Sequence, residues 1–169
     1  MKGRSVIKES TASAFVFGHD GEQGWRVALV MHPRLGEYLP AGGHVESNES
    51  AAEAAVREIG EETGLQARLL AGPGLALPAG FPHTPVIAPW WTVEMAAGAD
   101  NHTPGPHVHI DHVFVAVADD PDPRLPGEHE IRWFTSTEAA QEPLIAEDSR
   151  LQAKELFARI DEIAATAAL

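Results

Sequence analysis

The sequence of 169 residues has no cysteine, a single tyrosine, and only 12 Lys and Arg against 25 Asp and Glu. Without cysteine there can be no disulfide, thiolate zinc site, iron–sulfur cluster or Cys nucleophile. A formal net charge of -13 argues against binding to nucleic acid polymers or anionic membranes, both of which call for a basic face. Long hydrophobic runs are also missing. Runs such as Ala12–Phe17 and Val86–Trp91 are interrupted by Ser or Pro and fall far short of the roughly 20 residues of a membrane span. Met1–Ser10 carries basic residues without the apolar stretch of a secretory signal. These absences lead to the expectation of a soluble, cytoplasmic protein.

What is present suits a globular fold, with 44% hydrophobic and 22% charged residues. The length predicts one domain over residues 1–169. Alternation in Ala12–Phe17 predicts a strand, closed by a turn at His19-Asp20-Gly21. Trp25–Met31 reads as a central strand, His32–Pro40 as a loop and Gly42-Gly43 as a backbone break. Ser50–Thr63 reads as a helix, with a capping box at Ser50–Glu53 and a stop at Gly64. Further strands are expected at Leu65–Leu70, Val86–Ala96, His109–Ala118 and Glu130–Phe134. Gly/Pro-rich loops fall at Ala71–Pro85 and Asp119–Gly127. Ser149–Ala165 predicts an amphipathic helix whose stripe is Ala153, Leu156, Phe157, Ile160 and Ile163. That stripe suits core packing or the face of a homodimer. Strands interleaved with helices predict a layered mixed α/β (α+β) domain.

Chemistry concentrates in Gly42–Leu65. Within Glu46–Glu62 lie Glu46, Glu49, Glu53, Glu58, Glu61 and Glu62, with Arg57 as the one cation. At about 100° per residue, Glu58 and Glu62 lie about 40° apart, with Glu61 about 60° to the other side of Glu58. Like charges spaced this way repel, so the helix gains nothing from them unless a cation sits between. Carboxylate oxygens without His or Cys beside them suit a hard divalent ion, Mg²⁺ or Mn²⁺. The bland alternative is a solvated acidic face, which leaves the flanking glycines and the lone arginine unexplained.

The spacing Gly43, Glu49, Arg57-Glu58-Ile59, Glu61-Glu62, Gly64-Leu65 resembles the Nudix box, G-x5-E-x7-R-E-U-x-E-E-x-G-U with U a bulky aliphatic, and every fixed position is met. The resemblance implies a Nudix-type α/β/α sandwich with a mixed sheet. It implies a hydrolase that cleaves a nucleoside diphosphate linked to a further group X. By that likeness Glu58, Glu61 and Glu62 would hold Mg²⁺, with Glu46 and the carbonyl near Gly42 as extra ligands. Arg57 would pair with Glu49 as a strut, and Gly43 and Gly64 would supply backbone freedom. Glu61 is the first candidate for the general base, with Glu128 and Glu130 as alternatives. The expected partner is a small phosphorylated nucleotide such as an NTP, ADP-ribose or a nucleotide sugar. The competing reading is a Nudix-fold domain that senses a nucleotide without cleaving it. Such domains typically lose box carboxylates, and here all are kept.

Outside the box, Tyr38 and Trp90 are candidate substrate contacts together with Gly42 and Gly43. Trp90 could instead pack in the core. His107–His112 (HVHIDH) is similar to the H-x-H-x-D-H zinc motif of the metallo-β-lactamase superfamily. Against that reading, PGP precedes the motif, a strand-like run follows it, and few downstream ligands remain. In a strand, His107, His109 and Asp111 would share one face and His112 the other. A hydrogen-bonded strand end is the plain reading; substrate contact and a second metal site are its alternatives.

Overall fold

A computed structural model of the chain describes residues 6–123 and 125–166. Alternation along the first strand, β1 (Lys8–Asp20), sets the architecture. Successive side chains of a strand point to opposite faces. Ala12, Ala14 and Val16 enter one buried cluster, and Phe15 and Phe17 enter another. β1 therefore lies between two layers.

The sheet is mixed and has eight strands: β1, β2 (Gly24–Met31), β3 (Tyr38–Leu39), β4 (Ala41–His44), β5 (Ala67–Leu70), β6 (Trp91–Ala97), β7 (His107–Ala118) and β8 (Ile131–Thr135). Its main path runs β3-β2-β1-β7-β5, with β4 pairing β1, β6 pairing β7 and β8 pairing β2. Among the described strands, β1 and β7 are the one pair that runs parallel, in a register that sets Glu9 across from His109 and Thr11 across from Asp111. One face carries α1 (Ala51–Glu58), whose Ala52 and Ala55 pack on Ala12, Val16 and Phe114 with Ile59 just beyond the helix. The other carries α2 (Ser136–Gln141), α3 (Glu147–Phe157) and α4 (Ile160–Thr166) over Phe15, Phe17, Leu29 and Phe134. This is the expected α/β/α sandwich. Each fully buried Phe contributes about 1.5–3 kcal/mol relative to exposure. Among the described residues, no helix is long and apolar enough to cross a membrane.

Several elements differ from the sequence reading. Gly42-Gly43 is not a break but the middle of β4, paired with β1 through Ser13↔Gly42 and Ala12↔Gly43. A Cβ at Gly42 would stand 2.5 Å from the Ala12 carbonyl oxygen, so close backbone approach accounts for this glycine. The strand expected from Val86 begins only at Trp91, after Pro85 and Pro89, residues that lack the N–H a ladder needs. The helix expected at Ser149–Ala165 is two, separated at Ala158-Arg159. Its apolar stripe is spent on this chain's core: Ala153, Leu156, Ile160 and Ile163 are buried, with Phe157 packed against them. α2 went unforeseen although Thr135 and Glu138 form a capping box at its start.

The helix at Ser50–Thr63 begins as read. The Ser50 hydroxyl accepts from the Glu53 N–H, and the Glu53 carboxylate accepts from the Ser50 N–H at 2.7 Å. Its last turn departs from α geometry: Ile59–Thr63 is a π-helical turn that ends at Gly64 in the left-handed region, φ 71°. The 100° arithmetic therefore fails for Glu61 and Glu62. Such wide turns are frequent at functional sites.

Candidate active site

β4 and the α1–π segment bring the box residues together, and Arg57 organises them. Its Nε and Nη2 donate to the two oxygens of Glu49 at 3.1 and 2.8 Å, a bidentate pair. Nη2 also donates to the His44 carbonyl at 3.0 Å. Nη1 donates to Glu58 at 2.8 Å and Glu61 at 3.0 Å. One guanidinium thus braces the loop, β4 and two helix carboxylates, the strut role expected of Arg57 with Glu49. Those carboxylates hold Arg57 above the ordinary guanidinium range, Glu49 foremost. Arg57, with the Glu46 N–H after it, holds Glu49 below the usual carboxylate range.

Glu58 is pushed up by burial, which outweighs the opposing effect of Arg57. Its carboxylate lies over Gly43, and a Cβ there would collide with it. Gly43 has no positive φ, so the position needs a small residue rather than backbone freedom. Glu62 accepts from the Gly42 N–H at 3.0 Å and lies 3.2 Å from His129 Nε2. Burial drives its carboxyl up to about 7, against the Gly42 hydrogen bond and His129; Glu58 and Glu128 add to the rise. Glu61 is the open member, its side chain 50% exposed against 13% for Glu58 and Glu62.

Residues 127–130 close over the π turn. The Glu128 N–H donates to the Glu61 carbonyl at 2.9 Å, and the His129 N–H to the Glu62 carbonyl at 3.0 Å. Glu128 therefore stands beside the box. The Glu130 carbonyl instead accepts from Met31 N–H at 2.9 Å, at the start of β8 pairing. Glu46 lies in the loop of the box, its N–H donating to Glu49 at 2.9 Å. His129 was not foreseen as a partner of Glu62; no local pattern marks it.

The carboxylates of Glu58, Glu61 and Glu62 offer hard oxygen donors. Two of them already share one cation, Arg57, and burial resists the charge of the third. This donor set fits Mg²⁺ or Mn²⁺. Tyr38, expected at the entrance, is 6% exposed and packs edge-on against Phe134. Trp90 is half-buried against the core beneath α2–α4, and its indole N–H donates to the Leu70 carbonyl at 3.0 Å.

The HVHIDH segment divides. Asp111 is buried and accepts from Thr11 Oγ1 at 2.8 Å and Ser13 Oγ at 2.7 Å. His112 lies at the exposed side near Thr92. His107 and His109 instead converge with Glu9, His44 and Asp100. Burial, and after it His44 and His107, hold His109 below the ordinary imidazole range.

A mixed sheet between helix layers, with an arginine-braced carboxylate helix at its edge, defines a Nudix-type sandwich. A family model described as NUDIX domain matches residues 8–156, and the chain belongs to the Nudix family. A NUDIX-family hydrolase from Clostridium perfringens is similar in structure, with TM-score 0.69, 26% identity, and coverage of 90% of this chain and 97% of that one. The Ap4A hydrolase of C. elegans is similar at TM-score 0.57 and 16% identity, over 90% of this chain and 99% of that one. The NUDIX domain of Shewanella oneidensis NrtR, solved with ADP ribose, gives TM-score 0.56 and 19% identity, over 96% of this chain and 93% of that one.

Proposed function

We propose that this chain is a Mg²⁺-dependent pyrophosphohydrolase acting on a nucleoside diphosphate linked to a further group, of the NTP, ADP-ribose or nucleotide-sugar class. The observation that carries the reading is the retention of every box carboxylate, three of them (Glu49, Glu58 and Glu61) braced by Arg57, whose five hydrogen bonds also reach the His44 carbonyl. Glu58, Glu61 and Glu62 would hold the ion, with Glu46 and the Gly42 carbonyl beside them. Bound there, a divalent ion supplies positive charge against the pyrophosphate and acidifies water.

The side chains have separable tasks. Arg57 keeps Glu49, Glu58 and Glu61 in a fixed arrangement, so little reorganisation is needed when substrate arrives. The Gly42 N–H fixes one oxygen of Glu62. Glu61 keeps one oxygen, Oε1, clear of Arg57, whose bond goes to Oε2. That oxygen is the proposed proton acceptor as water oxygen bonds to phosphorus and the bridging P–O bond breaks. Glu128 is the alternative base because its backbone docks on Glu61.

The test is a panel of NTPs, ADP-ribose, nucleotide sugars and dinucleoside polyphosphates, with and without Mg²⁺. Turnover should require the ion. Glu61→Gln should lower kcat by about 10²–10⁴, the usual contribution of a general base. Full activity in Glu61→Gln together with loss in Glu128→Gln would move the base to Glu128. Tight nucleotide binding without turnover would favour a sensing domain, a reading prompted by the ADP-ribose complex of the NrtR domain.

A further inference from the structure

Five side chains from four separate segments converge on one point outside the box. They are Glu9 on β1, His44 on β4, Asp100 between β6 and β7, and His107 and His109 on β7. One ligand atom from each lies within 4.8 Å of all the others. His107 and His109 Nε2 are 2.8 Å apart. His44 Nε2 lies 2.9 Å from Glu9 Oε2 and 3.6 Å from Asp100 Oδ2. His107 Nε2 lies 3.4 Å from the same Glu9 oxygen and 3.3 Å from the same Asp100 oxygen, and His109 Nε2 is 3.5 Å from Asp100. Five donors about 2.0–2.2 Å from one ion sit about 2.8–3.8 Å apart at angles of roughly 90–120°, and the separations found, 2.8 to 3.6 Å, fall within that range.

The far side of each donor is also fixed. His107 Nδ1 is 2.9 Å from the Gly105 carbonyl, an acceptor only, so that nitrogen carries a proton and Nε2 is the one free to present a lone pair inward to an ion. Asp100 Oδ1 accepts from the Thr103 and His102 N–H groups at 2.7 and 2.8 Å, leaving Oδ2 to face the cluster. Glu9 Oε1 accepts from the Thr103 hydroxyl, leaving Oε2 inward. His44 stacks on His102, with ring centroids 4.0 Å apart. Outer contacts that hold the tautomer and the ring plane are the usual companions of metal ligands.

With all three imidazoles neutral, hydrogen bonding alone leaves the centre short of protons. The inward acceptors are the His107 lone pair and two carboxylate oxygens, with only His44 and His109 to donate. The His107 side chain is fully buried, and that of Asp100 is 8% exposed. A divalent ion would satisfy all five atoms and cancel both carboxylate charges. Three imidazoles select a first-row transition metal over Mg²⁺.

We propose that Glu9, His44, Asp100, His107 and His109 bind a transition metal ion of the Zn²⁺ type, at a site that shares no side chain with the carboxylate site on the helix. It would tie β1, β4 and β7 together, and it would do so directly beside Gly42 and Gly43.

The experiment is metal analysis of the full chain after Zn²⁺ loading and dialysis, with Zn²⁺ affinity measured by competition against a chromophoric chelator. A parallel Co²⁺ titration of the wild type is read by its visible absorption. One equivalent of Zn²⁺ per chain is expected, undisturbed by excess Mg²⁺. Affinity should fall at least about tenfold in His107→Gln and in Asp100→Asn, and should be unchanged in His112→Ala. Should His107→Gln fail to fold, Asp100→Asn and the wild-type Co²⁺ spectrum still decide. Wild-type protein that retains no Zn²⁺ and gives no Co²⁺ bands would overturn the proposal. So would Zn²⁺ that leaves with Glu58→Gln but stays in His107→Gln and Asp100→Asn.

Discussion

Consider Glu62→Gln in protein stripped of divalent ions with EDTA. Burial raises the Glu62 carboxyl from 4.5 to about 7. At 1.36 kcal/mol per unit, keeping it charged in the folded chain costs at most about 3 kcal/mol. Because folding raises this pKa, the stabilising contribution of the protonated form is fully present below about pH 4.5. It is lost as pH rises through about 7. Glu58 and Glu128 push the same way as burial, while the Gly42 N–H and His129 oppose it. Gln keeps an acceptor for the Gly42 N–H and turns an amide toward His129 Nε2, with no charge to desolvate. For a chain of this size 1 kcal/mol moves Tm by about 2–4 °C. The Tm of the variant should therefore exceed that of the wild type by up to about 10 °C near pH 8.5, and the gap should close toward pH 4.5. Scanning calorimetry in EDTA across that range is the assay. Mg²⁺ should narrow the gap by stabilising only the wild type, and turnover should be lost in the variant. A variant no more stable than wild type near pH 8.5, or an offset independent of pH, would refute the reasoning.

Two glycine substitutions should separate fold from activity. Gly42→Ala drives a methyl into the Ala12 carbonyl, and denaturant titration should show a loss of about 1–3 kcal/mol, the usual cost of overpacking. Gly43→Ala meets the movable end of Glu58, so kcat should drop while the denaturation midpoint changes little. Arg57→Ala removes a cation only 25% exposed from among Glu49, Glu58 and Glu61. It should cost about 2 kcal/mol by urea denaturation, between the values for exposed and buried pairs; a loss under about 0.5 kcal/mol would show that the brace is dispensable.

The box was legible because its spacing is local: Gly43 to Leu65 lie on one strand, loop and helix, and the sequence holds their order. The Arg57–Glu49 pair came with the resemblance to the box, and a single cation among acids agrees with it. The π turn was not legible, since α periodicity was the natural extrapolation from Ser50. The five-residue cluster was legible only in its His107 and His109 part. Glu9 reaches His109 through parallel register, and His44 arrives through β4 pairing with β1. Such pairings depend on how the whole sheet assembles. Tyr38 and Trp90 show the opposite limit: large rings near a candidate site are claimed by the core when a buried face lies within reach.

The wide turn at Ile59–Thr63 acts as a phase shifter in the helix. Upstream, side-chain azimuth is counted from Ser50 in steps of about 100°. Within the turn, the extra backbone room resets that count at Glu61 and Glu62. Removing one residue from the turn would leave the composition of the acidic stripe almost untouched, yet it would swing Glu62 away from the Gly42 N–H. In this segment the number of residues constrains the sequence as tightly as their identity.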